Sequence, residues 1–241
     1  MSRKLRTDTI APGSAVHVIL RGNNRRRIFS FARDYLLFLR LLEFESRRYG
    51  VPVHAVALLS NHVHLVVTAP DARTLGRFVK SVSQRYAQRR NAARNGTGKL
   101  FEQRYVSVPI ADVRQLAATI AYVDLNPVRA GLAAAPEDYL GSTYRLHAGH
   151  ADAHAAITAL WSPHDWYLAL SADDDRRARI YRALAEDRRA EAAELEGVAA
   201  LCADRDDDAT PYTLRLRRPD ESRVAEPPAP YGVLVRVPEI R

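Results

Sequence analysis

The residues best suited to chemistry in this chain are two histidines separated by one residue. His62 and His64 lie in the apolar, β-branched run 58–67, which predicts a strand. Side chains two residues apart on a strand share a face, so both imidazoles point one way, while Val63 and Leu65 point the other way. Two imidazoles on one face can hold a metal ion, although half-buried histidines that are only hydrogen-bonded would show the same pattern.

A tyrosine and an asparagine from a later segment complete the candidate site. Tyr122 and Asn126 are four residues apart, so they share a face if the segment is helical. Two imidazoles and one amide oxygen leave positions on a cation for phosphate oxygens and water, which suits Mg²⁺ or Mn²⁺. A tyrosine hydroxyl beside such a cation can attack a phosphodiester. The alternative is that Tyr122 is a helix residue at the edge of the core.

The elements that must position these residues follow the order β-α-β-β-α-β-α. Hydrophobic patterns predict strands at 14–21, 51–59, 62–68 and 105–110, and helices at 33–49, about 72–94 and about 113–126. Asp71 and Asp112 are predicted N-caps, and the last helix should end near Asn126 because Pro127 follows. The first six elements match a ferredoxin-like split βαβ pattern, an α+β fold in which an antiparallel sheet carries helices on one face.

The second part of the chain has a weaker pattern. We predict a catalytic domain at 1–148, a helical extension at 149–200 and a charged, proline-containing, partly flexible tail at 201–241. Within the extension, residues 151–170 should form one or two short helices with Trp161 and Trp166 as anchors, followed by a helix at 173–195. The tail should contain a linker at 204–230 and a short strand at 231–237.

Charge separates the two parts. Residues 1–150 contain 23 Lys+Arg and 10 Asp+Glu, a net charge of +13, whereas residues 151–241 contain 13 and 18, a net charge of −5. A basic first part predicts a polyanionic partner, most simply nucleic acid. Compositional bias explains why arginine outnumbers lysine, but it does not explain why the excess of positive charge is confined to residues 1–150.

Other features limit the location of the protein. The single cysteine, Cys202, excludes an intrachain disulfide, the N-terminus has no secretory signal, and no apolar stretch is long enough to span a membrane. We therefore expect a bacterial cytoplasmic protein that associates with the nucleoid.

Four sequence blocks together resemble a known family. They are Arg21-Gly-Asn-Asn24, Asn61-His-Val-His-Leu65, Phe101-Glu-Gln-Arg-Tyr105 and Tyr122-Val-Asp-Leu-Asn-Pro-Val-Arg-Ala-Gly131. In order and spacing they resemble the single-tyrosine transposases of the HUH superfamily, and most closely the REP-associated tyrosine transposases, over roughly residues 10–147. The Leu59-Ser60 pair departs from the Met-Pro that usually precedes this Asn-His, and Tyr-Val-Asp-Leu125 is a mild variant of the tyrosine block.

The resemblance implies a role for each site residue. His62, His64 and Asn126 would hold Mg²⁺ or Mn²⁺, and Tyr122 would be the nucleophile. The family cuts single-stranded DNA beside hairpins, leaving a 5′-phosphotyrosine bond and a free 3′-OH, and so carries out DNA transposition. The expected partner is therefore single-stranded DNA with hairpin or palindromic elements, whether the protein is a monomer or a homodimer.

Several basic and polar residues are candidates for contact with this DNA. Arginines give affinity by binding phosphates without reading sequence. The candidates are Arg21, Asn23, Arg25, Arg26, Arg27, Arg85, Arg89, Arg104 and Arg129. Each of these arginines could instead be ordinary solvated surface charge.

Two other functions compete with transposition. One is a non-catalytic or domesticated regulator that keeps the fold and binds single-stranded or hairpin DNA, which the presence of all four site residues disfavours. The other is a metal-dependent hydrolase in which water replaces the tyrosine. Such an enzyme would turn over without forming a covalent adduct.

Overall fold

Four antiparallel strands form the sheet of this computed structural model, which describes residues 9–201. The strands are β1 (Ser14–Arg21), β2 (Val53–Leu58), β3 (His62–Ala69) and β4 (Val106–Pro109). Their order across the sheet is β2-β3-β1-β4, with β1 between β3 and β4. This is the ferredoxin-like arrangement predicted from the sequence, and it makes β1 the neighbour of the histidine strand.

One face of the sheet packs against two long helices, α1 (Ala32–Tyr49) and α2 (Ala72–Ala92). Val63 and Leu65 of β3 lie in this core with Phe38 of α1 and Phe78 of α2. Gly50 ends α1 in the left-handed conformation with a φ of 61°. The predicted division of β3 into an apolar face and a histidine face is therefore confirmed.

The opposite face of the sheet is covered by α3 (Val113–Arg129) and by helices from the second part of the chain. Leu116 and Ile120 of α3 pack in a second core with Ala55 and Ala57 of β2. These alanines have short side chains, so the helix can approach the strand closely. The two helices of the first six elements, α1 and α2, lie on one face as predicted, and the seventh element, α3, covers the other face.

The third helix does not end at Asn126 as predicted. It continues through Pro127 to Arg129. A proline within a helix cannot donate to the carbonyl of the residue four positions before it, and its ring crowds that carbonyl. Three backbone hydrogen bonds close the end here, from Ala130 to Asn126, from Gly131 to Val128 and from Leu132 to Pro127. These bonds and the burial of Pro127 offset the lost donor.

A short helix, α4 (Tyr144–His147), ends the predicted catalytic domain, and the extension consists of α5 (Ala155–Leu160), α6 (Asp165–Ala169) and α7 (Asp174–Leu201). The two predicted short helices and the following long helix are confirmed, and α7 runs beyond its predicted end. The predicted linker at 204–230 and strand at 231–237 lie outside the described residues. No helix within residues 9–201 is long and apolar enough to cross a membrane.

Candidate active site

The paired histidines occupy the start of β3, on the sheet face that α3 covers. The ring centroids of His62 and His64 are 4.8 Å apart. His64 is buried with 4% of its surface exposed, whereas His62 is half-buried at the strand end. Antiparallel pairing sets Arg21 of β1 opposite His62. The positive charge of Arg21 therefore lies at the strand end where His62 is half-buried.

The third helix brings Tyr122 to the histidines. Asp112 fixes the start of α3, because its carboxylate accepts a hydrogen bond of 2.7 Å from the backbone N–H of Gln115. From that start, the Tyr122 ring stands edge-on to His64, with 5.8 Å between ring centroids. Asn126 follows one turn later and is buried with 7% exposure. The predicted meeting of this helix with the histidine strand is thus present in the structure.

A third histidine, His17 of β1, also lies at this site. Its Nε2 is 3.0 Å from Nδ1 of His64, and the two rings are stacked with 5.2 Å between centroids. Its ring is also edge-on to Tyr122, at 6.0 Å. None of the four sequence blocks contains His17. The signal that could have revealed it is its place on β1, since a ferredoxin-like sheet puts β1 beside β3.

All three imidazoles are held in the neutral form. Burial lowers the pKa of His17 to about 4. Burial, followed by the positive charge of Arg21, lowers the pKa of His62 to about 4. Burial and then repulsion from His62, His17 and Arg21 hold the pKa of His64 well below its usual 6.5. At neutral pH these side chains therefore offer nitrogen lone pairs.

The donor set fits a divalent cation. His62 Nδ1 is 2.6 Å from Oδ1 of Asn61, and His64 Nδ1 contacts His17. In each of the two histidines, Nε2 is therefore the nitrogen that could bind a cation. Among the described residues, Nδ2 of Asn126 is buried without a hydrogen-bond partner. A side-chain amide keeps its shape when nitrogen and oxygen exchange places, so a rotated Asn126 would offer an oxygen ligand.

This set is incomplete by itself. Within residues 9–201 no group of three His, Cys, Asp or Glu side chains could hold a metal ion. Two imidazoles and an amide leave the remaining positions of a cation to water or phosphate oxygens, which is typical of catalytic sites.

The comparisons with known proteins concern the segment that contains these residues. Residues 12–126 match the family described as "Transposase IS200 like". Over this segment the chain is similar to the IS200-like transposases. The matched segment contains the histidine strand and ends at Asn126 of the tyrosine helix. No curated protein matches the chain.

A solved structure is similar in fold to this chain. It is described as "Structure of the REP associates tyrosine transposase bound to a REP hairpin". The superposition has a TM-score of 0.53 and a sequence identity of 16%, and it covers 68% of this chain and 93% of that chain. At this identity the likeness establishes the α+β architecture.

The guanidinium of Arg129 lies over the ring of Tyr122. Its Cζ is 5.2 Å from the ring centroid, a cation–π distance, and Arg129 is exposed at the end of α3. This placement depends on the continuation of α3 through Pro127 to Arg129. A helix that ended at Asn126 would not carry Arg129 on the same face as the tyrosine.

Three consecutive arginines lie in a turn beside His62, and we call residues 22–27 the basic turn. Asn61 Nδ2 donates to the backbone oxygen of Arg25 at 3.2 Å, and the backbone N–H of Gly22 donates to the backbone oxygen of Asn61 at 2.8 Å. A Cβ on Gly22 would lie 2.1 Å from the backbone oxygen of Arg26, so only glycine fits here. The turn also contains Asn23, which is half-buried.

The end of α2 extends this basic surface. Arg90 donates to the backbone oxygen of Arg27, and Arg26 donates to the backbone oxygen of Lys99. Arg89 is exposed on the same last turn of α2. The basic turn, the end of α2 and the histidine hairpin are therefore connected parts of one surface.

Two of the predicted DNA-binding arginines lie elsewhere. Arg85 forms an ion pair of 3.0 Å with the buried carboxylate of Glu45 on α1 and lies over the ring of Phe44. It therefore belongs to the surface of α1 and α2, and its structural role is to neutralise Glu45. Arg104 is exposed in the segment before β4. Neither residue has a described contact with His62, His64 or Tyr122.

Proposed function

We propose that this protein nicks single-stranded DNA and transfers the cut strand through a covalent bond between Tyr122 and the 5′ phosphate. The observation that carries this proposal is the position of Tyr122, whose ring stands against His64 with the Arg129 guanidinium above it. A tyrosine at the edge of a core needs neither a cation on its ring nor a pair of neutral histidines beside it.

The proposed reaction is a balanced transesterification. The Tyr122 oxygen forms a bond to phosphorus, the bond from phosphorus to the 3′ oxygen breaks, and the phenolic proton is lost to solvent. The departing 3′ oxygen takes up a proton and becomes a free 3′-OH. The Arg129 guanidinium above the ring supplies positive charge beside the negative charge that builds up in the transition state.

His62, His64 and Asn126 would hold Mg²⁺ or Mn²⁺ in this reaction. When bound, such a cation polarises the scissile phosphate and neutralises its negative charge. Arg21, opposite His62, lies where it can hold the same phosphodiester. The buried histidines remain neutral and so do not need to lose a proton when a cation arrives.

The proposed partner is single-stranded DNA that contains a hairpin, bound in the bacterial nucleoid. The structurally similar transposase is described as bound to a REP hairpin. In this chain the basic turn and the end of α2 supply positive charge directly beside His62. A duplex stem held there would place the adjoining single strand near Tyr122.

A covalent-adduct gel tests the proposal. Wild-type protein, labelled hairpin DNA with a single-stranded flank, and Mn²⁺ should give a band of protein linked to DNA. Tyr122→Phe keeps the ring and its packing but removes the nucleophile, so it should give no adduct while binding DNA almost as well. EDTA should also prevent the adduct in the wild-type protein.

The same gel separates the competing functions. Cleaved DNA without an adduct, and unaffected by Tyr122→Phe, would identify a hydrolase that uses water. Binding with neither cleavage nor adduct in the presence of Mn²⁺ would identify a non-catalytic regulator. Either result would overturn the proposed transfer through tyrosine.

A further inference from the structure

His17 makes a contact that the proposed chemistry does not yet use. It lies on β1 opposite Val66, and His64 lies opposite Ile19, so the two histidines are diagonal neighbours on adjacent strands. The contact between His17 Nε2 and His64 Nδ1 is 3.0 Å, a normal hydrogen-bond distance. His17 is thus turned toward a candidate metal ligand, and its Nε2 is already engaged.

A hydrogen bond between two neutral imidazoles has one donor and one acceptor. If His64 donates from Nδ1, its Nε2 carries the lone pair that a cation needs. If His17 donates instead, His64 carries its proton on Nε2 and cannot bind a cation there. The direction of this one hydrogen bond therefore decides whether His64 can act as a ligand.

The other histidine of the pair has a similar partner. Nδ2 of Asn61 donates to the Arg25 backbone oxygen, so its Oδ1 is the atom that faces Nδ1 of His62 at 2.6 Å. An amide oxygen only accepts, so His62 must donate from Nδ1 and keep its lone pair on Nε2. Partners of this kind fix the tautomer and ring orientation of metal-binding histidines.

We propose that His17 is a positioning residue that accepts a hydrogen bond from His64 and so orients its Nε2 toward a divalent cation. His17 is not a third ligand, because its Nε2 faces another imidazole. The stacked arrangement of the two rings also restricts rotation of His64. This inference rests on the proposed function, in which His64 binds the cation.

Metal affinity tests the inference without measuring DNA cleavage. Mn²⁺ binding is followed by electron paramagnetic resonance on proteins shown to be folded by circular dichroism. His17→Leu removes the acceptor and should weaken Mn²⁺ binding about 10- to 100-fold, the usual effect of losing such a partner. His17→Gln can still accept a hydrogen bond at a similar distance and should recover most of the affinity.

His54 provides a matched control. It is another buried strand histidine with a pKa lowered to about 4, but its nitrogens contact the Ser162 backbone oxygen and Thr68 Oγ1 instead of the site. His54→Leu should leave Mn²⁺ affinity unchanged in the folded protein. Equal Mn²⁺ affinity in wild type and His17→Leu would overturn the inference.

A second measurement uses the wild-type protein, so it tests the inference even if His17→Leu does not fold. Nitrogen-15 NMR of the Mg²⁺-loaded protein should show His17 Nε2 without a proton and coupled to Nδ1 of His64 through the hydrogen bond. A proton on His17 Nε2 would overturn the inference while leaving the proposed function intact. A wild-type protein that binds neither Mn²⁺ nor Mg²⁺ would overturn both.

Discussion

At the scale of single residues, the chemistry of the site depends on side chains that come from three separate elements. His62 and His64 come from β3, His17 from β1 and Tyr122 from α3. The spacing of His62 and His64 and the spacing of Tyr122 and Asn126 could be predicted, because each pair lies within one regular element. The contact of His17 with His64 could not be predicted from spacing, because it crosses 47 residues of sequence.

Arg129 provides a prediction at this scale. Arg129→Ala removes the cation above Tyr122 and should slow formation of the covalent adduct several-fold, because a cation–π contact at an exposed site contributes about 0.5–1 kcal/mol. Arg129→Lys keeps the charge and should retain most of the rate. The measurement is the single-turnover rate of adduct formation at saturating DNA.

Arg114→Ala is the matched control for this prediction. Arg114 is also exposed and lies on the first turn of the same helix, so the change in net charge is identical. Its adduct rate should equal that of the wild type. If both alanine variants slowed the reaction equally, the effect of Arg129 would be one of overall charge, and its place over Tyr122 would have no special role.

At the scale of elements, α3 is held from behind by the extension. Asp124, fully buried between Tyr122 and Asn126 in sequence, accepts hydrogen bonds from Thr143, His147 and Tyr181 at 2.6–2.7 Å. Tyr181 belongs to α7 and is fully buried. The helix that carries the proposed nucleophile therefore shares a core with the predicted extension.

The sequence predicts that α3 and α7 are helices, but it does not predict the contact between Asp124 and Tyr181 that joins them. The pattern of α7 is rich in alanine and charge, which predicts a helix but does not tell where it packs. Asp124 lies within the tyrosine block, where a carboxylate is easily taken for an active-site group. Its three buried donors instead make it the residue that joins α3 to α4 and α7.

Tyr181→Phe tests the role of this contact. It removes one donor to Asp124 while keeping the ring, so it should lower the free energy of unfolding by about 1–3 kcal/mol. Tyr181→Ala also creates a cavity and should cost more, about 3–5 kcal/mol. Urea unfolding followed by circular dichroism gives both values.

Tyr49→Phe is a control for removal of a tyrosine hydroxyl. Tyr49 is half-buried at the end of α1, far in sequence from the Asp124 contacts, and its change should fall within about 0.5 kcal/mol. A Tyr181→Phe protein as stable as the wild type would show that the extension does not hold α3 through this hydroxyl.

At the scale of the whole molecule, two cores cover the two faces of one sheet, and the candidate site lies at the edge of the second core. Burial of histidine side chains in the protein makes its stability depend on pH. Burial holds the pKa values of His17, His54 and His62 at about 4 and holds that of His64 well below its usual 6.5. In the unfolded chain the same groups titrate near 6.5.

The protein should therefore lose stability as the pH falls below 6.5. In the window from about 6.5 to about 4, the unfolded chain takes up protons that the folded protein does not, so the free energy of unfolding decreases with decreasing pH. Urea unfolding at pH 7.5, 6.5, 5.5 and 5.0 should show this decline before most carboxylates titrate. His54→Gln should reduce the slope, and a constant free energy from pH 7.5 to 5.0 would contradict the burial of neutral histidines.

The central claim is that Tyr122 becomes covalently attached to DNA, and peptide mapping of the adduct tests it most directly. After reaction with hairpin DNA and Mn²⁺, nuclease treatment trims the attached strand and trypsin releases the peptide 115–129, in which Tyr122 is the only tyrosine. The account predicts that mass spectrometry finds the nucleotide phosphate on Tyr122 in this peptide. A nucleotide on any other of the 11 tyrosines, with an unmodified 115–129 peptide, would contradict it.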